Sequence, residues 1–188
     1  MQNKQELKIQ ANFFMLNIAK HIKESDPVIE KVRELVRQYK FKGEMIKDKV
    51  YKELVRQGVI LGSRAQHNLI VTSGRTVLAR LLSGDATFSG EIDYGAVGDG
   101  NTAFTNASTQ LNNELFRKQA SAQSFSANVA FIDWFIASGD TADDTFEEFG
   151  SFIDGSGAAD SGQAFSLLIT GGWVKSGSIF ISAQYTIS

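Results

Sequence analysis

The fold is decided by residues 68–118, which contain NLIVTSGRTVLARLLSG (68–84), EIDYGAVGDGN (91–101) and LNNELFRK (111–118). The first segment predicts a short helix that Thr72 or Ser73 caps and Gly84 ends. The second predicts a strand that runs into a glycine-rich turn, and the third leads into another strand. The sequence before this stretch is basic and helix-like. The sequence after it is acidic, strand-like and rich in Gly and Ser.

Charge is divided unevenly along the 188 residues, although the formal net charge is only −2. Residues 1–82 carry 16 Lys and Arg against 8 Asp and Glu, a net charge of +8. Residues 83–188 carry 3 against 13, a net charge of −10. Such asymmetry predicts two surfaces with different neighbours. The basic half could bind nucleic acid, form solvated helix faces with acid–base pairs three and four residues apart, or contact the acidic body of another subunit. The alternation of acids and bases makes nucleic-acid binding the less favoured interpretation.

Composition excludes several classes of protein. The chain has no cysteine, so disulfide frameworks and thiolate metal sites are excluded. The polar start MQNKQELKIQ gives no sign of a signal peptide. The longest apolar run, Val129–Ala137, is interrupted by Asp133 and falls short of the roughly 20 residues that a membrane-spanning helix needs. We therefore expect a soluble protein made in the cytoplasm, with no membrane partner.

Residues 1–57 predict a helical arm built from Lys4–Glu24, Pro27–Lys40 and Glu44–Gln57. In the first helix Phe14, Ile18 and Ile22 fall on one stripe, and a second apolar edge lies beside it. Because a lone helix cannot bury both edges, we expect this stripe to contact neighbouring elements or a second subunit. Residues 58–66 are expected to be a linker.

Residues 67–188 predict a β domain that begins with the short capped helix. Its expected strands are rich in β-branched and aromatic residues and are bounded by Gly, Asp and Ser: Glu91–Val97, Phe125–Ala137, Ala164–Thr170 and Ser178–Ile187. No helical stretch separates them, which is typical of antiparallel packing. The expected fold is therefore α+β, with an N-terminal helical arm followed by an antiparallel β-sandwich of jelly-roll type.

No group of residues predicts a reaction. The two histidines, His21 and His67, lack metal-ligand spacing. The glycines of Gly95–Gly100 predict a tight turn with positive φ rather than a phosphate-binding loop. Three loops rich in oxygen ligands leave calcium binding open: Asp99–Asn101, Asp140–Asp144 and Asp154–Asp160. We expect no catalytic residue, no resident cofactor and no metal.

Four charged residues of residues 68–118 are candidates for structural ties. Arg75 and Arg80 lie on the predicted helix, and Glu114 and Arg117 lie on the lead-in to a strand. An ion pair of Arg75 or Arg80 with Glu114 would join the helix to the β domain, whereas solvated charges are the alternative.

The order of motifs resembles a loose family of virion proteins of tailed bacteriophages, namely small tail, neck or fibre-associated subunits. The resemblance covers about residues 68–188 and is carried by Asn68, Gly74, Arg75, Ala79, Leu82, Gly84, Tyr94, Gly95, Ala96, Gly98, Gly100, Leu111, Glu114, Arg117, Glu148, Gly150, Phe152, Lys175 and Gly177. It implies a β-sandwich body, homo-oligomeric assembly and no catalysis. Residues 1–57 lie outside it.

The predicted function is therefore that of a non-enzymatic virion structural protein that binds copies of itself and the portal, tail or fibre proteins. The alternative is a module that binds carbohydrate or a host receptor. That module would need exposed aromatic side chains, and Trp173, in a Gly-Gly turn, is the candidate that would face the ligand. A polysaccharide hydrolase is less favoured, because no pair of acids stands in a recognisable spacing.

Overall fold

The structure, a computed structural model, describes residues 8–188. Within these residues the elements are, in chain order, β1 (Ile9–Ile18), α1 (Pro27–Arg37), α2 (Lys42–Met45), α3 (Lys49–Arg56), β2 (Ile60–Ile70), α4 (Thr72–Leu82), β3 (Ile92–Gly98), β4 (Glu114–Gln119), β5 (Ala122–Ser126), β6 (Val129–Ile136), β7 (Thr145–Ile153), β8 (Gln163–Val174) and β9 (Ser178–Ile187).

The strands form one antiparallel sheet in the order β4-β3-β7-β8-β2-β1-β9-β6-β5. The sheet curls into a half-barrel. The α+β class is thus confirmed, whereas the predicted two-sheet sandwich of jelly-roll type is wrong. The two halves stay in one sheet because β2 pairs with β1 and also reaches β8 through Leu69 and Ile70. The edge strands β4 and β5 are consecutive in the chain and are separated only by Ala120 and Ser121.

The register of β1 with β9 defines two ends of the sheet. At the first end Ile9 pairs with Ile187, and at the second end Ile18 pairs with Ser178. The last residue of β2, Ile70, belongs to the first end. Val174 of β8 pairs with Thr145 and belongs to the second end. These two ends carry the candidate interaction sites.

The prediction of a helix over Lys4–Glu24 is wrong where the structure tests it. Residues 9–18 form β1, and residues 4–7 of that prediction lie outside the described part of the chain. Phe13 packs into the inner core of the half-barrel, while Phe14 points the other way, under the helices. A strand covered on both faces is apolar at consecutive positions, so some of its residues fall at helical spacing by coincidence.

Every central strand is covered on both faces. The inner core takes alternate residues of several strands, including Phe13, Met15, Trp134, Phe149, Phe165, Ile181 and Tyr185. One outer core lies under α1–α3 and includes Phe14, Leu16, Ile18, Ile29, Val32, Leu54 and Phe180, with half-buried Ile22 against it. The other outer core lies under the loops before β4 and β8 and includes Val71, Ala96, Leu111, Phe152 and Leu167. Full burial of each large side chain contributes roughly 1.5–3 kcal/mol.

The helices do not form a separate arm. They follow Asp26-Pro27, where proline fits the first turn of α1, and they lie between β1 and β2 on the outer face of the same sheet. The predicted linker of residues 58–66 instead enters β2 at Ile60. Gly58, with φ of 71°, ends α3 as expected.

The body strands follow the predictions more closely. Ser178–Ile187 is a strand over the predicted range, and its alternate residues from Ile179 to Tyr185 face the inner core. The predicted single strand Phe125–Ala137 is two strands, because Ala127 adopts a left-handed conformation with φ of 51° and turns β5 into β6.

Candidate functional site

A cleft of about 740 Å³ lies at the first end of the sheet, between β1, β2 and α4. Its floor and walls are mainly apolar and include Ile9, Leu69, Leu78 and Leu82. Lys8, His67 and Arg75 also line it, and all three are exposed. Within the described part of the chain, none of the side chains that line the cleft is acidic. An open apolar cleft with cationic side chains is suited to a partner that combines an apolar group with negative charge.

Helix α4 is held beside the cleft by close contact with β8. A Cβ on Gly74 would lie 2.5 Å from the carbonyl oxygen of Phe165, so only glycine permits this approach. The hydroxyl of Ser73 donates to the carbonyl of Ala164 at 2.6 Å instead of capping the helix. Val77 is buried, but Leu82 at the end of α4 remains 83% exposed.

Asn68 connects the cleft to a buried group of hydroxyls. Its Nδ2 donates to Ser166 Oγ at 2.5 Å. The hydroxyls of Ser151, Ser166 and Tyr185 lie 2.7–2.8 Å from one another. Each can donate one hydrogen bond and accept another around this triangle, which satisfies all three inside an apolar core. Burial raises the pKa of Tyr185 to about 12.

The glycine-rich segment Gly95–Gly100 serves close packing and does not bear out the predicted positive-φ turn. None of its glycines has positive φ. A Cβ on Gly98 would lie 2.5 Å from Glu148 Oε1, and a Cβ on Gly95 would meet Trp134. Glu148 is buried and accepts hydrogen bonds from the backbone N–H groups of Asn112 and Asn113 at 2.9 and 2.7 Å. It thereby fixes the long loop that precedes β4.

Glu114 forms its ion pair with Arg117, and not with Arg75 or Arg80 as predicted. Glu114 binds Arg117 through two hydrogen bonds of 2.6 Å, and both side chains are almost fully buried. Arg117 also donates to the carbonyl of Ser161 at 2.9 Å, which fixes the loop before β8. Arg80 pairs with Asp85, and Arg75 reaches only Thr72 on its own helix. The hypothesis of an Arg75 or Arg80 pair with Glu114 is therefore wrong.

An acidic rim lies at the second end of the sheet, formed by Asp140, Asp143, Asp144 and Glu147. Asp140 binds Lys118, and Asp143 binds the buried Lys175 at 2.9 Å. The ammonium group of Lys175 also donates to the carbonyls of Ser138 and Thr141, so it holds the loop in place. The ammonium group of Lys175 lowers the pKa of Asp143. Asp144 and Glu147 have no cationic partner within the described chain.

The acidic rim also carries an exposed apolar side chain. Val174 pairs with Thr145, next to Asp144, and is 58% exposed. Sequence patterns missed this residue, as they missed the exposure of Leu82, because alternation alone does not tell which end of a strand projects beyond its cover.

Asp133 is a further buried ionisable group, beneath α1. It is 1% exposed, and Arg33 Nε and Arg37 Nη2 each lie 3.6 Å from its Oδ2. Neither of its carboxyl oxygens has a hydrogen-bond partner among residues 8–188. Burial raises the pKa of Asp133, and the nearby Ser182 hydroxyl and the two guanidinium groups offset only part of this effect.

The remaining candidates from the sequence do not converge. His21 and His67 belong to different parts of the fold, and no group of three or more potential metal ligands occurs in the described residues. Trp173 is only 7% exposed and is covered by the guanidinium of Arg64, 5.4 Å from its ring centroid. It is therefore not the exposed aromatic residue that carbohydrate binding was predicted to use. Among residues 8–188, no helix is both long and apolar enough to cross a membrane.

No family model, curated protein or solved structure matches the chain. The function is therefore inferred from the geometry of the two ends of the sheet.

Proposed function

We propose that the chain is a non-enzymatic structural subunit of a tailed-phage virion. In this proposal it acts in the tail, neck or fibre-attachment region and binds copies of itself together with portal, tail or fibre proteins. The observation that carries the proposal is the arrangement of charge and exposed apolar side chains. Leu82 stands beside Arg75 at the first end, and Val174 stands beside Asp144 and Glu147 at the second end.

Two unlike ends of this kind suit assembly. An exposed apolar cleft rimmed by polar and charged side chains, as at the first end, is typical of an interaction surface. Opposite charges at the two ends steer unlike surfaces together and disfavour contact between like surfaces.

The buried charged groups support the same proposal. Glu148, Arg117 and Lys175 each make at least one hydrogen bond to the backbone of a neighbouring loop. A fixed loop presents the same surface in every copy, and a repeating assembly requires this.

The carbohydrate-binding alternative has less support from the geometry. Trp134 is 1% exposed and packs against Phe149, and Trp173 is also buried. Stacking on a sugar ring needs an accessible aromatic face.

Two measurements test the proposal. We expect light scattering to detect a defined oligomer at about 0.05 M NaCl that weakens at about 0.5 M NaCl, because screening reduces attraction between exposed charges. We also expect mass spectrometry to detect the chain in purified virions. A monomer at both salt concentrations, together with absence from virions, would contradict the proposal.

A further inference from the structure

We propose that copies of this chain bind head to tail, with Val174 and the acidic rim of one copy seated in the cleft of the next. This inference rests on the proposed function, and it names the surfaces and the partner. Glu147 and Asp144 of one copy then face Arg75 and Lys8 of the next, while Val174 packs beside Leu82. The interface joins unlike surfaces, so it generates rings or open stacks.

The two ends carry exposed charges of opposite sign. Among residues 8–188, no acidic side chain lines the cleft beside Lys8 and Arg75, and Arg75 has only a weak contact with Thr72, at 3.3 Å. Glu91 and Asp154 also belong to the first end, at the ends of β3 and β7, but they do not line the cleft. Asp144 and Glu147 likewise have no cationic partner within the described chain. Each end therefore offers charges that the other end can pair.

Each end also carries an exposed apolar side chain. Leu82 and Val174 are 83% and 58% exposed, and each stands beside those unpaired charges. Contact of a cleft with another cleft would bring Lys8 and Arg75 of both copies together, and like charges placed opposite each other are repulsive. A head-to-tail contact buries both apolar side chains and pairs the charges.

Both surfaces are held in place before they bind. Lys175 fixes the loop of the acidic rim through two carbonyls and Asp143, and Gly74 fixes α4 against β8. Neither surface has to become ordered when it binds, which lowers the entropic cost of association.

Charge reversal gives the test. We expect Arg75→Glu and Glu147→Lys each to weaken self-association at least about tenfold in analytical ultracentrifugation at low salt. Glu147 has no hydrogen bond or ion pair within the described chain, so its replacement should leave the fold intact. The matched control is Lys49→Glu, which changes an exposed lysine on α3 and should leave self-association unchanged.

Mixing the two variants distinguishes this geometry from others. Arg75→Glu keeps an intact acidic rim, and Glu147→Lys keeps an intact cleft, so an equimolar mixture should form mixed assemblies in which each variant contacts only the other. The double variant R75E/E147K has both charges reversed and should recover self-association. Mixed assemblies and recovery in the double variant support the inference. If wild type assembles but neither single variant weakens it, the head-to-tail contact is wrong while the proposed assembly function stands. If wild type stays monomeric at every concentration, the inference is overturned, and the presence or absence of the chain in virions then decides the proposed function.

Discussion

Glu148 Oε1 occupies space that a side chain on Gly98 would need, since a Cβ on Gly98 would lie only 2.5 Å away. Gly98 and Glu148 are paired neighbours in β3 and β7. The buried carboxylate of Glu148 thus fits because the neighbouring residue on β3 is glycine. From there it accepts hydrogen bonds from the backbone of the loop before β4.

We expect Gly98→Ala to lower the free energy of unfolding by about 3 kcal/mol, since the new methyl group also meets the backbone oxygen of Asn113. The matched control is Gly43→Ala in α2, where a Cβ meets nothing within 4 Å. That change should be neutral or stabilising by up to about 1 kcal/mol. Urea denaturation measures both. Equal effects of the two substitutions would contradict the prediction.

The buried pair of Glu114 and Arg117 should stabilise the fold far more than an exposed pair of the same spacing. We expect Arg117→Met to cost about 3–5 kcal/mol, because Glu114 is left charged and buried. Arg56→Met breaks the pair with Glu53, in which the two side chains are 75% and 45% exposed, and should cost far less because solvent screens this pair. Double-mutant cycles on both pairs provide the measurement. A coupling energy no larger for the buried pair than for the exposed one would refute the prediction.

The hydroxyl of Tyr185 completes the triangle with Ser151 and Ser166. Tyr185→Phe removes one donor and one acceptor, so a serine hydroxyl loses a partner in a site that water does not reach. We expect a loss of about 1–3 kcal/mol in the free energy of unfolding. Tyr39→Phe is the control, because that hydroxyl binds Asp48 in a partly exposed position, and its loss should be smaller. A neutral Tyr185→Phe variant would show that the triangle adds nothing to stability.

Asp133 should make stability depend on pH in an unusual direction. Because burial raises its pKa, its contribution to stability is present below the ordinary carboxyl pKa of 3.8 and is lost as pH rises through the raised value. Asp133→Asn stays neutral at every pH. We therefore expect the stability of this variant relative to wild type to increase as pH rises from about 4 to about 7.

Asp85 provides a control of opposite sign. The Thr87 hydroxyl, followed by Arg80, lowers the pKa of Asp85 to about 2. Its contribution to stability is present above pH 3.8 and is lost as pH falls through about 2. Asp85→Asn should thus be less stable than wild type near neutral pH, with a deficit that shrinks in acid. Chemical denaturation from about pH 2 to about pH 7 measures the stability of both variants relative to wild type. If this relative stability changed with pH in the same direction for both variants, the opposite pKa shifts of Asp133 and Asp85 would be contradicted.

Local sequence signals identified the elements in which apolar and polar residues follow a regular spacing. The range of α4 follows from its apolar spacing and from Gly84, and the alternation of Ser178–Ile187 identifies β9. Helix α1 begins at Pro27, as its Asp-Pro signal predicts. The two helices each have one apolar face, and in β9 the residues that alternate with the apolar ones are polar apart from Phe180. The pattern is therefore contained in about ten consecutive residues.

The same signals failed where burial on two faces conceals periodicity. Residues 9–18 are apolar on both sides because the inner core and the helices cover opposite faces of β1. The outer cover is formed by the helices that follow β1, and the inner cover by strands as distant in sequence as β7 and β9. No window of local sequence contains that information.

The sequence by itself determined the α+β class and the uneven division of charge. It drew attention to Gly95–Gly100, but for a positive-φ turn that the structure does not contain. Only the tertiary structure decided that β2 joins the two halves into one sheet, that Glu114 binds Arg117, and that Leu82 and Val174 project at opposite ends. The physical reason is that composition and periodicity are properties of neighbouring residues. The partner of a buried charge and the exposure of a side chain depend instead on which distant strands the sheet brings beside it.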